Sequence, residues 1–289
     1  MNSIAYSCPE SLLSDTNALI SLPEVCLQLR ERLADPQHTR KEVAKIILHD
    51  PALTARVLRI VNSAYYGLPQ KVSEISHALN ILGEEELQNL VIVTSIVKTM
   101  AKVSSTVDIR SFWRSSIFSA VLAKNLIQHS SSHEEAAEDY FIAGLLLNIG
   151  RLLLYHHEPE LLKEVSAKME TQDVTDYIAE RELLGFDHAD VGALMASNWN
   201  FSDTLVDCIR CHHRPVEELR SVAHAVMGMT AYFTDQFDFA KPKQVELDKL
   251  QHERDSLLSI MGIDWREFCV IVNNSYEDYL HAHEAFCGG

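Results

Sequence analysis

Ile47-Leu-His-Asp-Pro-Ala-Leu-Thr-Ala-Arg-Val-Leu-Arg-Ile-Val-Asn-Ser-Ala-Tyr-Tyr-Gly67 is the stretch whose reading decides the fold. Asp50-Pro51 closes one helix and opens the next: an Asp at the N-cap accepts from the first free amides, and Pro at the first helical position has no N–H to leave unpaired. Ala52, Ala55, Leu58 and Val61 then recur at helical spacing, with Gly67 as the expected stop. Upstream, Val43, Ile46 and Ile47 line one face of a preceding helix. Downstream, residues 73–82 read as a short helix closed by Gly83, and Glu84-Glu85-Glu86 puts negative charge at the positive end of another, which carries Leu87, Leu90, Val91, Thr94, Ile96 and Val97.

The same three-and-four spacing continues along the chain. Helices are expected over 112–128, 134–147, 159–170, 175–184 (stopped by Gly185), 189–199, 203–213, 216–233 and 265–285. The polar segment 235–255, with Lys241-Pro242-Lys243, reads in its first half as a surface loop. No run alternates as a strand would. The composition agrees: 47% of the 289 residues are hydrophobic and 23% charged, while 10 Gly and 8 Pro offer few of the tight turns that β folds consume. The fold class is therefore all-α. The low-apolar patch 102–110, with Ser104-Ser105-Thr106, is the expected boundary, giving blocks 1–110, 111–235 and 236–289.

Charge limits the partners. The net charge is -16, with 25 Lys and Arg against 41 Asp and Glu; residues 1–110 hold 11 basic and 12 acidic side chains, and residues 111–289 hold 14 and 29. An acidic surface repels phosphate backbones and anionic headgroups, so neither nucleic acid nor a membrane is expected as a partner. The N-terminal residues show no signal-peptide pattern, no apolar run is long enough to span a bilayer, and six dispersed cysteines suit reduced thiols. A cytoplasmic location is the expectation.

Four polar features interrupt the apolar helical pattern. Cys208-Ile-Arg-Cys211-His212 matches the haem-attachment pattern, but it lies within a helix-period stretch, so buried thiols are expected and haem is not. His188, His212 and His213, with His156 and His157 upstream, are candidate metal ligands or else core and solvated imidazoles. Asn148-Ile-Gly150-Arg151 breaks the run from Leu145 to Leu154, either as a helix break capped by Asn148 or as a ligand site. Arg59 and Asn62 share one helical face and are expected to bridge to a neighbouring helix or to bind a ligand.

Taken together, these residues resemble the HDOD domains of bacterial signalling proteins, a branch related to the HD phosphohydrolases. The resemblance begins at Leu22-Pro23 and is sharpest over 47–67. It continues at Ile75-Ser-His-Ala-Leu-Asn-Ile-Leu-Gly83, Phe112-Trp-Arg-Ser-Ser116, Ala143-Gly-Leu-Leu-Leu-Asn-Ile-Gly-Arg-Leu-Leu153, Asp187-His-Ala-Asp-Val-Gly192 and His212-His213. It implies an N-terminal helical bundle packed on an HD-like helical domain, here followed by a C-terminal helix. It also exposes departures. The metal-binding His-Asp doublet of catalytic HD enzymes falls on Leu147-Asn148, and a Trp-x-His-Ser position reads Trp113-Arg-Ser115-Ser116.

The expectation that follows is a non-catalytic regulatory module that binds a protein partner, with no catalytic residue, no cofactor and no required metal. Two alternatives stay open. One is a metal-dependent phosphohydrolase or phosphodiesterase on His188, His212 and His213, with Asp187, Asp190 or Glu182 supplying the missing carboxylate. The other is a vestigial pocket for a nucleotide or cyclic dinucleotide, formed by Ser115, Asn148, Arg151, His188 and His212. The helix carrying Trp265, Phe268, Ile271, Val272 and Tyr276 is expected either to cover the HD-like part or to pair two copies as a homodimer.

Overall fold

The computed structural model describes residues 8–14, 23–62, 66–100, 108–131, 137–237, 239 and 251–287, and every regular element among them is helical. They form α1 (Pro9–Ser14), α2 (Glu24–Ala34), α3 (Arg40–Leu48), α4 (Pro51–Val61), α5 (Ile75–Leu82), α6 (Glu84–Met100), α7 (Ile109–His129) and α8 (Ala137–Leu146). There follow α9 (Ile149–His157), α10 (Pro159–Gln172), α11 (Asp176–Leu184), α12 (His188–Asn198), α13 (Asp203–Cys211), α14 (Val222–Gln236), α15 (Gln251–Met261) and α16 (Trp265–Cys287). Leu22, Ser63, Ala64, Tyr65, most of the 102–110 patch and the loop expected after 239 lie outside the described residues. Among the described residues no helix is long and apolar enough to cross a membrane.

The chain divides into two compact units: Met1–Ile20 with Ser104–Ser275, and Ser21–Val103 with Tyr276–Gly289. These units cut across the blocks 1–110, 111–235 and 236–289, because tertiary contacts and not sequence order decide membership. In the first unit, for example, Phe268 on α16 meets Phe233 on α14 edge-on at 5.5 Å, and Phe237 stacks on Phe118 of α7 at 4.4 Å.

In the second unit the core consists of Leu29, Val43, Ile47, Leu53, Val57, Ile60, Ile75, Leu79, Leu87 and Leu90 among others, drawn from α2 to α6 at helical spacing. Local chemistry sets the helix ends. Thr39 and Glu42 exchange side-chain and backbone bonds as a capping box at α3, and the Asp50 carboxylate accepts from Ala52 N and Leu53 N ahead of Pro51. Gly83 closes α5 at φ 87°, in the region that glycine adopts without steric cost.

Two expected boundaries move. The helix from Pro51 stops at Val61, well before Gly67, because Asn62 ends it: its Nδ2 donates to Leu58 O and Val72 O, both at 2.7 Å, and its Oδ1 accepts from Val72 N at 2.7 Å. Asn62 thus pins the connection to α5, while Arg59 is exposed on the same helix. The helix expected over 216–233 is a short 3-10 turn (Val216–Glu218), then extended backbone at Leu219, then α14; Ser221 caps α14 by accepting from His224 N. α9, α15 and the full length of α7 extend the helical content beyond the expected segments.

Replacing Asn62 with alanine strands the buried polar backbone of Val72 and is expected to cost about 2–3 kcal/mol, measured as a lower urea midpoint with an unchanged slope.

Candidate functional site

The polar centre of the first unit lies where α9, α11 and α12 converge. α9 and α12 approach unusually closely: a Cβ placed on Gly150 would sit 2.1 Å from His188 O and 2.7 Å from Gly192 N. Only glycine fits there. Asp187 caps α12, accepting from Ala189 N and Asp190 N, while the Asp190 side chain accepts from Asp187 N to complete a capping box. Arg181 Nε donates to Asp187 at 2.6 Å. This cap fixes the first residue of α12, His188, which is fully buried.

His188 faces Glu180 of α11. Its Nδ1 and its backbone N both donate to Glu180 Oε2, at 2.7 and 2.9 Å, and the Tyr155 hydroxyl from α9 donates to the other carboxylate oxygen. Glu180 is as buried as His188, so these donors replace the water that each carboxylate oxygen would otherwise hold. On the far side of the ring, His188 Nε2 lies 3.0 Å from His213 Nε2. His213 stacks on Tyr177 at 4.2 Å, and its ring centre is 4.0 Å from that of His212.

Electrostatics assign the protons. Burial opposes charging His188, but the Glu180 carboxylate outweighs it and the pKa rises. Burial and then the His188 charge push His212 down to about 3. His213 is also held well below the usual imidazole value, by burial and then by His212. The proton between His188 and His213 therefore belongs to His188. His212 is neutral: its Nδ1 donates to Ile209 O at 2.6 Å, leaving a buried Nε2 lone pair without a protein partner.

Arg151 on α9 forms the edge of the cluster, with 22% of its side chain exposed. Its Nη2 pairs with Asp176 Oδ2 and lies 3.8 Å from Asp235 Oδ1. Burial favours a protonated Asp176, yet the Arg151 charge overcomes it and the Asp176 pKa falls. The same guanidinium disfavours protonation of all three histidines.

Three of the expected pocket residues, His188, His212 and Arg151, lie in or at the edge of this cluster. Ser115 is half-buried on α7, and among the described residues no hydrogen bond joins it to the cluster. Asn148 occupies the N-cap position of α9, but its side chain makes no capping bond and its Oδ1 is buried without a partner. Leu147 is a buried alkyl chain. The carboxylates considered as substitute ligands serve other ends: Asp187 and Asp190 cap α12, and Glu182 pairs with Lys168 at 2.7 Å. The cluster's own carboxylates, Glu180 and Asp176, were not singled out by the sequence, because they sit in an acidic run where nothing marks one Glu from the next. Cys208 and Cys211 are buried on α13, and burial pushes the Cys211 thiol up to about 12. His156 and His157 meet each other edge-on, ring centres 5.7 Å apart, at the end of α9.

A model of the HDOD domain matches residues 19–215. The chain belongs to the HDOD domain family. The chain is 26% identical over 220 residues to an uncharacterised protein of Treponema pallidum (strain Nichols), covering 74% of this chain and 42% of that one. It is also 26% identical over 179 residues to the uncharacterised protein YuxH of Bacillus subtilis (strain 168), covering 60% and 41%. The chain thus spans less than half the length of these curated relatives. Among solved structures, one from Shewanella amazonensis SB2B, described as a candidate phosphohydrolase, superposes with a TM-score of 0.74 at 26% identity, covering 96% and 98% of the two chains. An HDOD domain protein of unknown function from Geobacter sulfurreducens gives 0.69 at 21%, covering 96% and 98%. The second of these likenesses establishes the fold alone.

Kinship with HD phosphohydrolases raises the question of a metal. Among the described residues, two groups of side chains each bring their donor atoms within 4.8 Å of one another: His188, His212 and His213, and Asp176, Glu180 and His188. The first holds imidazoles and no anion. In the second, Glu180 is saturated by His188 and Tyr155, and Asp176 is matched by Arg151. The HDOD cluster is charge-balanced by its own side chains, and this donor set does not fit the hard, carboxylate-held divalent cations of metal-assisted hydrolysis.

The pKa directions give the pH dependence. His212 and His213 take up protons near pH 6.5 when unfolded but resist them when folded, so their contribution is present above pH 6.5 and lost as pH falls toward the folded values. His188 has the opposite sign: its contribution is complete below pH 6.5 and lost as pH rises through its raised folded pKa. Stability should therefore peak near pH 6.5. His212→Gln should lower the acid-side slope by one proton, about 1.4 kcal/mol per pH unit, in urea unfolding between pH 4 and 6.

Proposed function

We propose that this HDOD domain is a non-catalytic regulatory module that binds a protein partner in a bacterial signalling pathway. The observation that carries this reading is the buried pair Leu147-Asn148 at the start of α9, the helix that meets His188 through Gly150: an alkyl chain and a neutral amide stand at the place that resembles the metal-holding doublet. Hydrolysis of a phosphate ester requires a group that binds or deprotonates the attacking water. Here the neutral imidazoles of His212 and His213 have no carboxylate hydrogen-bonded to them among the described residues, and Glu180, which meets the protonated His188, is already a fixed acceptor.

Two further facts support a binding role. Residues 111–289 carry 29 acidic against 14 basic side chains, a bias that steers a basic partner toward that part of the chain. The family's curated relatives are more than twice as long as the matched region, as expected of a module that works beside other domains. A cyclic-dinucleotide pocket is the second reading, favoured by the orphaned Asn148 Oδ1 and Arg151 Nε.

The test is turnover of bis-(4-nitrophenyl) phosphate and of cyclic dinucleotides by untagged protein with Mg2+, Mn2+ or Fe2+. The expected result is no rate above that of His188→Ala. A rate that this substitution abolishes overturns the reading. In parallel, thermal shift against cyclic dinucleotides should leave the melting temperature unchanged, since a ligand of the folded state alone must raise it.

A further inference from the structure

We propose that His38 is a pH-sensitive clamp in the second unit: its doubly protonated ring ties the α2–α3 connection to the first residue of α6, and the tie opens when the ring loses a proton. The device goes beyond the binding role proposed above, and it shares no residue with the polar centre, which belongs to the first unit.

The hydrogen bonds carry the argument. His38 lies in the short connection between α2 and α3, with its Nδ1 2.7 Å from Asp35 O and its Nε2 2.9 Å from Glu84 Oε2. A backbone carbonyl and an ionised carboxylate can only accept, so each contact needs an N–H from the ring. A neutral imidazole has one N–H and an imidazolium has two. Only the charged ring can therefore serve both oxygens. After deprotonation one ring nitrogen turns a lone pair toward an oxygen at hydrogen-bond distance, and that side must part. Whichever side parts, the link from Asp35 to Glu84 is broken. The bond to Glu84, followed by the bond to Asp35 O, raises the His38 pKa above the usual 6.5. The tie is thus complete below pH 6.5 and is lost as pH rises through the raised folded value.

The surrounding charges make the change reversible. Arg32 of α2 pairs with Asp35 at 3.4 Å and with Glu42 of α3 at 3.5 Å, and Arg40 of α3 reaches the other oxygen of Glu84 at 3.4 Å. α5 contributes Asn80, an uncharged acceptor for Arg40 Nη1 at 3.1 Å. Asp35 and Glu84, the acids that face the ring, each keep an arginine when His38 becomes neutral, so opening strands no carboxylate. His38 and Glu84 are also partly exposed, at 18% and 29% of their side chains, which gives solvent protons access to the ring.

What the clamp holds is the entry to α6. Glu84 directly follows Gly83, whose φ of 87° turns the chain out of α5. Gly83 N donates to Leu79 O at 3.0 Å and Gly83 O accepts from Leu87 N at 3.4 Å, so the amides of Gly83 and Leu87 report on opening of the junction from both sides.

The experiment is NMR on the full chain across about pH 5 to 9, the range in which a histidine titrates. Ring 15N shifts should show both His38 nitrogens protonated at the acid end and a midpoint above 6.5, and Glu84→Gln should bring that midpoint down toward 6.5. Hydrogen-exchange protection of the Gly83 and Leu87 amides, corrected for intrinsic exchange, should fall about threefold as pH passes the midpoint, the size expected of a solvent-screened charge pair. In His38→Ala the low protection should hold at every pH, and the difference between the two proteins separates His38 from all other titrating groups. If alanine prevents folding, Glu84→Gln serves instead, and its loss of protection should move to lower pH together with its midpoint. A midpoint at or below 6.5, a midpoint that Glu84→Gln leaves in place, or protection that ignores the state of His38 overturns the proposal.

Discussion

A carboxylate with no access to water, Glu180, is the constraint on which the first unit's polar centre depends. An unmatched charge in that position would cost several kcal/mol, so the surrounding helices must present donors to it. They do so with three donors from two helices: the Tyr155 hydroxyl from α9, and both the ring and the backbone of His188 from the start of α12, with Glu180 itself on α11. Because the backbone of His188 is one of the donors, the carboxylate fixes where α12 begins as well as how its first side chain points. The capping box of Asp187 and Asp190 secures the same turn from the opposite side.

From that anchor the rest of the cluster follows as a series of charge compensations. Glu180 draws a proton onto His188. That cation, together with burial, keeps His212 and His213 neutral, and Arg151 offsets Asp176 at the edge. Each ionised group finds its counterpart among its neighbours.

The sequence disclosed most where the physics is local. Asp50-Pro51, Gly83 and Gly185 mark helix ends because capping and left-handed backbone are decided within a few residues, and the structure has those ends where the sequence places them. It misled at Gly67, since the actual terminator, Asn62, acts through bonds to Val72 ten residues away, and at 216–233, where the Ser221 cap outweighed an apolar pattern that read as continuous. The candidate site was half legible. The histidines stood out as isolated imidazoles in apolar helices, but Glu180 and Asp176 were hidden among other acidic residues. Asp187-x-x-Asp190 carried the local signature of a cap, and its two carboxylates were weighed instead, with Glu182, as alternative substitute ligands. Arg151 was visible, but not what it faces, because a guanidinium and its partner are joined only by tertiary structure.

The glycine contact between α9 and α12 has a mechanical consequence. With the backbone of Gly150 seated against His188 and Gly192, no layer of side chains separates the two helices, and so there is nothing between them to slide or repack. A displacement of either helix at that point would have to be taken up by the other, which couples the pair as a lever. Any message that this domain relays between distant surfaces of its first unit would travel by displacement of that lever, with the buried carboxylate and its donors carried along intact.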